Sequence, residues 1–212
     1  SCEKVLTLAG KYPHVYAAIG VHPDEVGELN EDKIQHMKEL CCNKKVVAVG
    51  EIGLDYYWDN EPHEVQQKWF IRQLELAGEV KKPVIIHSRE AAADTMYIMK
   101  NYAQGLDGVI HCYSYSREMA EEYVKMGFYI GIGGVVTFKN AKKLKDVAAA
   151  IPIEKIVLET DCPYMAPEPY RGKRNQSSYI RYVAEKIAEL KEMSQEEVIA
   201  VTEKNARDLY GI

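Results

Sequence analysis

The chain alternates short apolar runs with longer stretches of helical periodicity. Six runs have the length of strands and are rich in Val and Ile with little polar alternation, namely residues 15–20, 46–53, 84–88, 108–113, 128–134 and 155–161. Strands of this composition are usually buried on both faces, as in a parallel sheet. Amphipathic patterns predict helices over residues 2–12, 64–82, 89–103, 176–192 and 194–209. Repeated strand–helix units predict an α/β fold with a parallel sheet.

Two architectures are built from such units, the doubly wound open sheet and the (β/α)8-type TIM barrel. The open sheet usually has a glycine-rich phosphate loop after its first strand, whereas the first run here leads into GVHPDE. A barrel places polar residues at the carboxyl ends of successive strands, as this chain does. A closed barrel has eight strands. We therefore expect an N-terminally incomplete barrel with about six of its eight strands, forming a single domain over residues 1–212.

Composition and charge narrow the class of protein. The net charge of −5, from 27 basic and 32 acidic residues, argues against a broad basic face that coats nucleic acid. The longest apolar run is too short for a membrane span, so we expect no membrane partner. The five cysteines include the adjacent Cys41 and Cys42 and form no C-x-x-C pair. Reduced thiols and a cytoplasmic location are the expectation.

Polar residues stand at the ends of five of the apolar runs: His22, Glu51, His87, His111 and Asp161. In a barrel the carboxyl ends of the strands form one rim, which carries the active site. Histidines and carboxylates that converge there make a ligand set for zinc, manganese or magnesium.

Each residue of this set also has a structural interpretation. A single histidine at a strand end is more often a hydrogen-bonding residue than a ligand, Glu51 is a candidate helix cap, and Asp161 a candidate turn residue. The metal interpretation is favoured because the whole set recurs at corresponding positions. Side-chain alternation places Glu159 on the face of Asp161, where it needs a partner, and turns Cys112 and Cys162 outward.

At the same residues the sequence resembles the TatD family of metal-dependent deoxyribonucleases. The matching segments are AAIGVHPDE, VGEIGLDYYWD, KPVIIHSREA, HCYS, IVLETDCPYMAP, RGKRNQ and KNARDLYGI, in order along nearly the whole chain. The resemblance implies a barrel of the amidohydrolase kind with two divalent metals. It implies exonucleolytic hydrolysis of phosphodiester bonds in DNA. By the same resemblance Glu51 is the bridging carboxylate, and His87 and His111 are ligands of one metal. Asp161 is a ligand of the other metal and the general base.

The resemblance also implies contacts with the substrate. Arg89 is expected to contact phosphate, and His22 to lie on the substrate side or behind the ligands. A basic loop contains Arg171, Lys173 and Arg174. It would either bind the nucleic-acid backbone or be a solvated turn without a ligand. An aromatic segment follows the second apolar run and contains Tyr56, Tyr57 and Trp58. Its rings could stack on splayed bases, although packing as a loop anchor is favoured.

Three departures from the family pattern are found. The family's first strand carries a His-x-His pair that completes the metal site of Asp161, whereas no histidine precedes His14 here. We therefore expect one metal in this chain instead of two, weak hydrolysis, and open barrel edges that favour self-association. Tyr115 stands where the family usually has Gly, and Gln176 where it usually has Glu.

Three functions remain open on the sequence. The first is a TatD-type deoxyribonuclease. The second is a related metal-dependent esterase or deacylase that acts on aminoacyl-tRNA, which shares the metal chemistry and differs at the substrate rim. The third is a catalytically weak, truncated homologue. Ligand chemistry alone leaves Mg, Mn and Zn as candidate metals.

Overall fold

Parallel strands with helices after them form both parts of the chain. The computed structural model describes residues 2–58 and 60–212. These residues fall into two units, the first of residues 1–108 with Gly211 and the second of residues 109–210 with Ile212. We describe each unit by itself, and the prediction of a single domain stays a prediction.

The first unit contains three parallel strands in chain order. Its elements are α1 (Cys2–Lys11), β1 (Ala17–Ile19), a 3-10 helix (Pro23–Glu28), α2 (Glu31–Leu40), β2 (Val46–Asp55), α3 (His63–Val80), β3 (Val84–Arg89) and α4 (Ala92–Tyr102). β2 pairs with β1 on one side and with β3 on the other. The register between β2 and β3 shifts between Val49 and Ile52, just where Glu51 stands.

The second unit repeats this arrangement. Its elements are β4 (Gly108–Ile110, whose first residue belongs to the first unit), α5 (Arg117–Lys125), β5 (Tyr129–Ile132), a 3-10 helix (Gly134–Thr137), α6 (Lys142–Ala150), 3-10 helices Ile153–Lys155 and Ser177–Tyr179, β6 (Ile156–Leu158), α7 (Ile180–Lys191) and α8 (Gln195–Tyr210). β5 lies between β4 and β6 and is parallel to both.

The strands are buried, as their apolar composition predicts. In the first unit Ile19, Val49 and Ile86 are inaccessible to solvent, and Phe70 of α3 is equally buried. In the second unit the residues Ile130, Ile132 and Ile156 are inaccessible as well. Burial of each such side chain contributes roughly 1.5–3 kcal/mol, so these strands form the core of their units.

Side-chain caps define several helix starts. Asn30 Oδ1 accepts a hydrogen bond from the Lys33 amide at the start of α2. Ser194 and Glu197 form a capping box at the start of α8, because Ser194 Oγ accepts from the Glu197 amide while the Glu197 carboxylate accepts from the Ser194 amide. Among the described residues, no helix has the length and apolar character that crossing a membrane requires.

Candidate metal centre

The first unit collects polar side chains at the carboxyl ends of its strands. His22 follows β1, Glu51 and Asp55 lie on β2, and His87 lies on β3. Gly53 of β2 is paired with His87, and a Cβ atom at Gly53 would lie 1.9 Å from the His87 carbonyl oxygen. Glycine is therefore required for β2 and β3 to approach each other at this level.

His87 contacts two carboxylates with its two ring nitrogens. Nε2 lies 2.9 Å from Oδ2 of Asp55, and Nδ1 lies 3.8 Å from Oε2 of Glu51. The Asp55 side chain is 2% exposed, whereas that of Glu51 is 37% exposed. An ionised Asp55 can only accept, so Nε2 carries the proton and the lone pair of Nδ1 points to the Glu51 side. A separation of 3.8 Å is too long for a hydrogen bond.

The surroundings of His87 keep the imidazole neutral. Burial lowers the pKa of His87, and the His22 ring, whose centroid lies 4.4 Å away, lowers it further. The hydrogen bond to Asp55 opposes this shift without reversing it. A neutral imidazole has the lone pair that a metal ligand needs.

His111 shows the same arrangement in the second unit. Its Nδ1 lies 2.7 Å from Oε2 of Glu159, and its Nε2 lies 3.7 Å from Oδ1 of Asp161. The other oxygen of Glu159 accepts a hydrogen bond of 2.6 Å from the Cys112 amide. The partner that the sequence required for Glu159 is thus His111 together with this amide.

These donor sets fit a divalent metal. His22, Asp55 and His87 each offer one ligand atom within 4.8 Å of the others, and so do His111, Cys112 and Asp161. Metal-bound histidines usually donate their second N–H to a carboxylate. By that rule Asp55 and Glu159 orient the imidazoles, and the lone pairs face Glu51 and Asp161. The joint site of Glu51, His87 and His111, which combines both units, stays a prediction.

The position of Cys112 corrects one prediction. We expected Cys112 to point outward by strand alternation, but its sulfur lies among the ligand atoms of the second unit. The physical reason is that β4 ends at Ile110, and Cys112 has a φ of 47°, so alternation no longer applies. Asp161 likewise follows the end of β6 at Leu158 and has a φ of 54°. Cys162 is exposed, and all five cysteines are free thiols.

Asp55 is the site residue that the sequence interpretation missed. The predicted strand ended at residue 53, whereas β2 continues to Asp55. Counting alternate residues onward from Glu51 through Gly53 reaches Asp55, so the signal was present in GLDYY. A buried carboxylate directly after an apolar run is the feature that would have identified it.

The predicted substrate contacts lie on exposed surface. Arg89 ends β3, and its guanidinium stacks 3.8 Å from the centre of the Tyr57 ring. In the basic loop of the second unit, Arg171 lies over the Phe138 ring at 4.2 Å, and Arg174 is exposed like Lys173. These side chains are accessible to a ligand, and their contact with phosphate stays a prediction.

Comparison with known proteins shows close relatives along the whole chain. A family model described as TatD related DNase matches residues 1–211. The uncharacterized metal-dependent hydrolase YabD of Bacillus subtilis is 47% identical over 210 residues, which cover 99% of this chain and 82% of that protein. The uncharacterized metal-dependent hydrolase YcfH of Escherichia coli K12 is 40% identical over 206 residues, which cover 97% of this chain and 77% of that protein.

Solved structures agree with these relatives. The TatD homologue YjjV of Escherichia coli K12 superposes with a TM-score of 0.92 at 33% identity, covering 99% of this chain and 82% of that one. A TatD family hydrolase of Entamoeba histolytica superposes with a TM-score of 0.86 at 27% identity, covering 98% and 80%. The predicted α/β fold of the TatD barrel type is confirmed by these matches.

Proposed function

This chain belongs to the TatD related DNase family of metal-dependent hydrolases, and we propose that it hydrolyses phosphodiester bonds of DNA. The observation that carries the proposal is the repeated arrangement at His87 and His111. Each imidazole has one nitrogen on a mostly buried carboxylate and the other 3.7–3.8 Å from a more exposed one. Such a pattern orients two lone pairs for metal, which a purely structural histidine does not need.

The chain's own residues divide into ligands and supports. In the first unit Glu51 and His87 would hold metal, with His22 beside His87 on the substrate side. In the second unit His111 and Asp161 would hold metal. Divalent metal held there supplies positive charge beside the scissile phosphate and makes water more acidic. Mg, Mn and Zn all suit these donors.

Asp161 is the proposed general base. Its side chain is 34% exposed, so water reaches it, and one of its oxygens lies 3.7 Å from Nε2 of His111. From this position Asp161 would orient the attacking water and accept its proton. Glu51 is 37% exposed at the mouth of the first unit's site and is the other carboxylate proposed to act in catalysis.

The cationic side chains are proposed to bind the substrate. Arg89 follows His87 by two residues on β3, so a phosphate held near His87 comes within reach of its guanidinium. Charge-assisted contacts of this kind stabilise the developing negative charge. In the second unit the exposed Arg171, Lys173 and Arg174 would also contact the DNA backbone.

The test is hydrolysis of end-labelled single-stranded DNA by this chain across titrations of Mg²⁺ and Mn²⁺. Glu51→Gln and Asp161→Asn are compared with Glu64→Gln, which removes an exposed carboxylate from the first turn of α3. We expect metal-dependent cleavage that either site variant lowers by at least about 100-fold, because ligand and base are lost. Glu64→Gln should leave the rate unchanged.

Two results would contradict the proposal. Cleavage no faster than in Glu51→Gln at any metal concentration would remove the nuclease activity from this chain. Release of the amino acid from aminoacyl-tRNA without cleavage of DNA would replace it by the esterase alternative, which uses the same metal chemistry.

A further inference from the structure

Two large aromatic side chains are exposed directly after β2. Tyr57 is 48% exposed and Trp58 is 56% exposed. Their rings meet edge to face, with centroids 4.9 Å apart and planes at 87°. Tryptophan is highly buried on average, so an exposed Trp58 in contact with a second exposed ring calls for an explanation by binding.

The neighbouring Tyr56 shows that the segment is not simply a loop anchor. Tyr56 stacks on His63 at 3.5 Å and donates a hydrogen bond to Asp94, and burial raises its pKa to about 12. The sequence favoured packing as a loop anchor for Tyr56, Tyr57 and Trp58, and of the three it is Tyr56 that packs in this way. Tyr57 and Trp58 remain as surface rings beside a fixed main chain.

Arg89 ties this pair of rings to the candidate metal centre. Its guanidinium carbon lies 3.8 Å from the centre of the Tyr57 ring and 5.5 Å from that of Trp58. Arg89 pairs in register with Asp55, and its carbonyl oxygen accepts a hydrogen bond from the Tyr56 amide. The rings and the guanidinium are thus fixed at the strand ends that carry Asp55 and His87.

The stacked guanidinium keeps its donors for a ligand. Stacking on a ring uses the face of the guanidinium, while its five N–H groups point outward in the plane. Within residues 2–58 and 60–212, Arg89 forms no ion pair with a carboxylate. Its donors are free to match a phosphate group.

We infer that Tyr57 and Trp58 form a base-stacking site for one unpaired nucleotide, whose phosphate is held by Arg89. The inference rests on the proposed function, since it assumes a nucleic-acid substrate. Bases stack on aromatic side chains whatever their sequence, because every base has a π-face. An apolar protein partner fits less well, since it would bury the Arg89 charge without a counter-charge.

The tryptophans provide a direct readout of this site. The chain has two, and Trp69 is buried in α3, so Trp69→Phe leaves Trp58 as the only tryptophan, which is excited selectively at wavelengths that tyrosine does not absorb. This variant is titrated in EDTA with a short single-stranded oligonucleotide and with an abasic strand of the same length. Binding is followed separately by the anisotropy of a label on the strand. We expect the base-containing strand, and not the abasic one, to quench Trp58 and shield it from iodide.

Affinity measurements give the second arm. Trp58→Leu should weaken oligonucleotide binding by roughly 5- to 150-fold, the range for loss of one base–aromatic stack. The matched control is Tyr97→Leu, which removes a 64% exposed tyrosine from α4 and should leave binding unchanged. The circular dichroism melt of each variant checks folding, and the fluorescence arm needs no change at Trp58.

The outcomes separate this inference from the proposed function. Binding by anisotropy with no change at Trp58, or equal quenching by the abasic strand, would overturn the stacking site and leave the nuclease proposal standing. Absence of both binding and cleavage would overturn the two together. Base-dependent quenching with a loss of affinity confined to Trp58→Leu would establish the site.

Discussion

At the scale of single residues, the ring orientation of His87 and of His111 is set by a carboxylate that is hydrogen-bonded to one of the ring nitrogens. Asp55 holds Nε2 of His87 at 2.9 Å, and Glu159 holds Nδ1 of His111 at 2.7 Å. In each case the supporting carboxylate is nearly buried, so its charge is weakly screened and fixes both tautomer and ring orientation. The proposed ligand function of each histidine would therefore depend on the carboxylate that orients its ring.

Glu159→Gln tests this dependence. Glutamine has one carbonyl oxygen for the two donors that Glu159 accepts from, the His111 ring and the Cys112 amide. We expect the affinity for Mn²⁺ or Zn²⁺ to fall by about 10- to 100-fold, the usual effect of removing a group that orients a ligand. Isothermal titration calorimetry of metal binding measures it.

The control for this prediction is Glu154→Gln, since Glu154 is exposed in the same unit. It should bind metal as the unaltered chain does. Equal affinities for Glu159→Gln and the unaltered chain would show that Glu159 only packs against His111, and the orienting role would be wrong.

At the scale of elements, the sequence predicted where strands occur better than where they end. The run at 155–161 contains β6, but the strand stops at Leu158, and the run at 108–113 contains β4, which stops at Ile110. The residues that follow each strand, 111–113 and 159–161, are also buried or half-buried, so the predicted runs extend past the strand ends. Hydrophobicity reports burial, and it does not report where pairing ends.

This difference explains which site residues could be predicted. His87 and Glu51 lie on strands, so their position followed from the pattern. The left-handed turns at Cys112 and Asp161 depend on contacts distant in sequence, which one sequence does not display. Asp55 was missed only because β2 is longer than its apolar run.

The segment that carries Asp161 is held by Asn175, a contact of this distant kind. Asn175 Nδ2 donates to the carbonyl oxygens of Thr160 and Tyr164 at 2.6 and 2.7 Å, and Asn175 is 3% exposed. Asn175→Asp would place a carboxylate against both carbonyls. We expect a loss of about 2–4 kcal/mol in the free energy of unfolding, because two part-buried carbonyl oxygens lose their donors and face a carboxylate instead. Urea unfolding measures it.

Gln176→Glu is the neighbouring control and restores the residue usual in the family. Gln176 is exposed, and only its backbone amide contacts Asn175. The free energy of unfolding of Gln176→Glu should therefore stay within about 0.5 kcal/mol of that of the unaltered chain. A loss for Asn175→Asp no larger than this would contradict the anchoring role of Asn175.

At the scale of the whole molecule, burial makes one cysteine thiol and several tyrosine hydroxyls difficult to deprotonate in the folded chain. Burial raises the pKa of the Cys41 thiol from 9.0 to about 11 and that of Tyr210 from 10.0 to about 12. Burial also raises the pKa of Tyr113 and of Tyr123, whose hydroxyl has no hydrogen-bond partner among the described residues. The folded chain therefore binds more protons than the unfolded chain in alkaline solution.

This difference in bound protons fixes the sign of the pH dependence. Above pH 9 the unfolded state releases the Cys41 proton while the folded state retains it, so the free energy of unfolding falls as pH rises. The Cys41 contribution is full below pH 9 and is lost by about pH 11, with an upper limit of about 2–3 kcal/mol. The tyrosines extend the loss from pH 10 to about 12.

Urea unfolding at pH 7, 9, 10 and 11 tests this by comparing the unaltered chain with Cys41→Ala and Cys42→Ala. Cys41→Ala should be less stable at pH 7, because a buried side chain is shortened, yet lose less stability between pH 9 and 11. The exposed thiol of Cys42 is the matched control, and its removal should leave the whole pH profile unchanged. Parallel profiles for Cys41→Ala and the unaltered chain would mean that the buried thiol does not couple folding to pH, and that the tyrosines alone produce the alkaline loss.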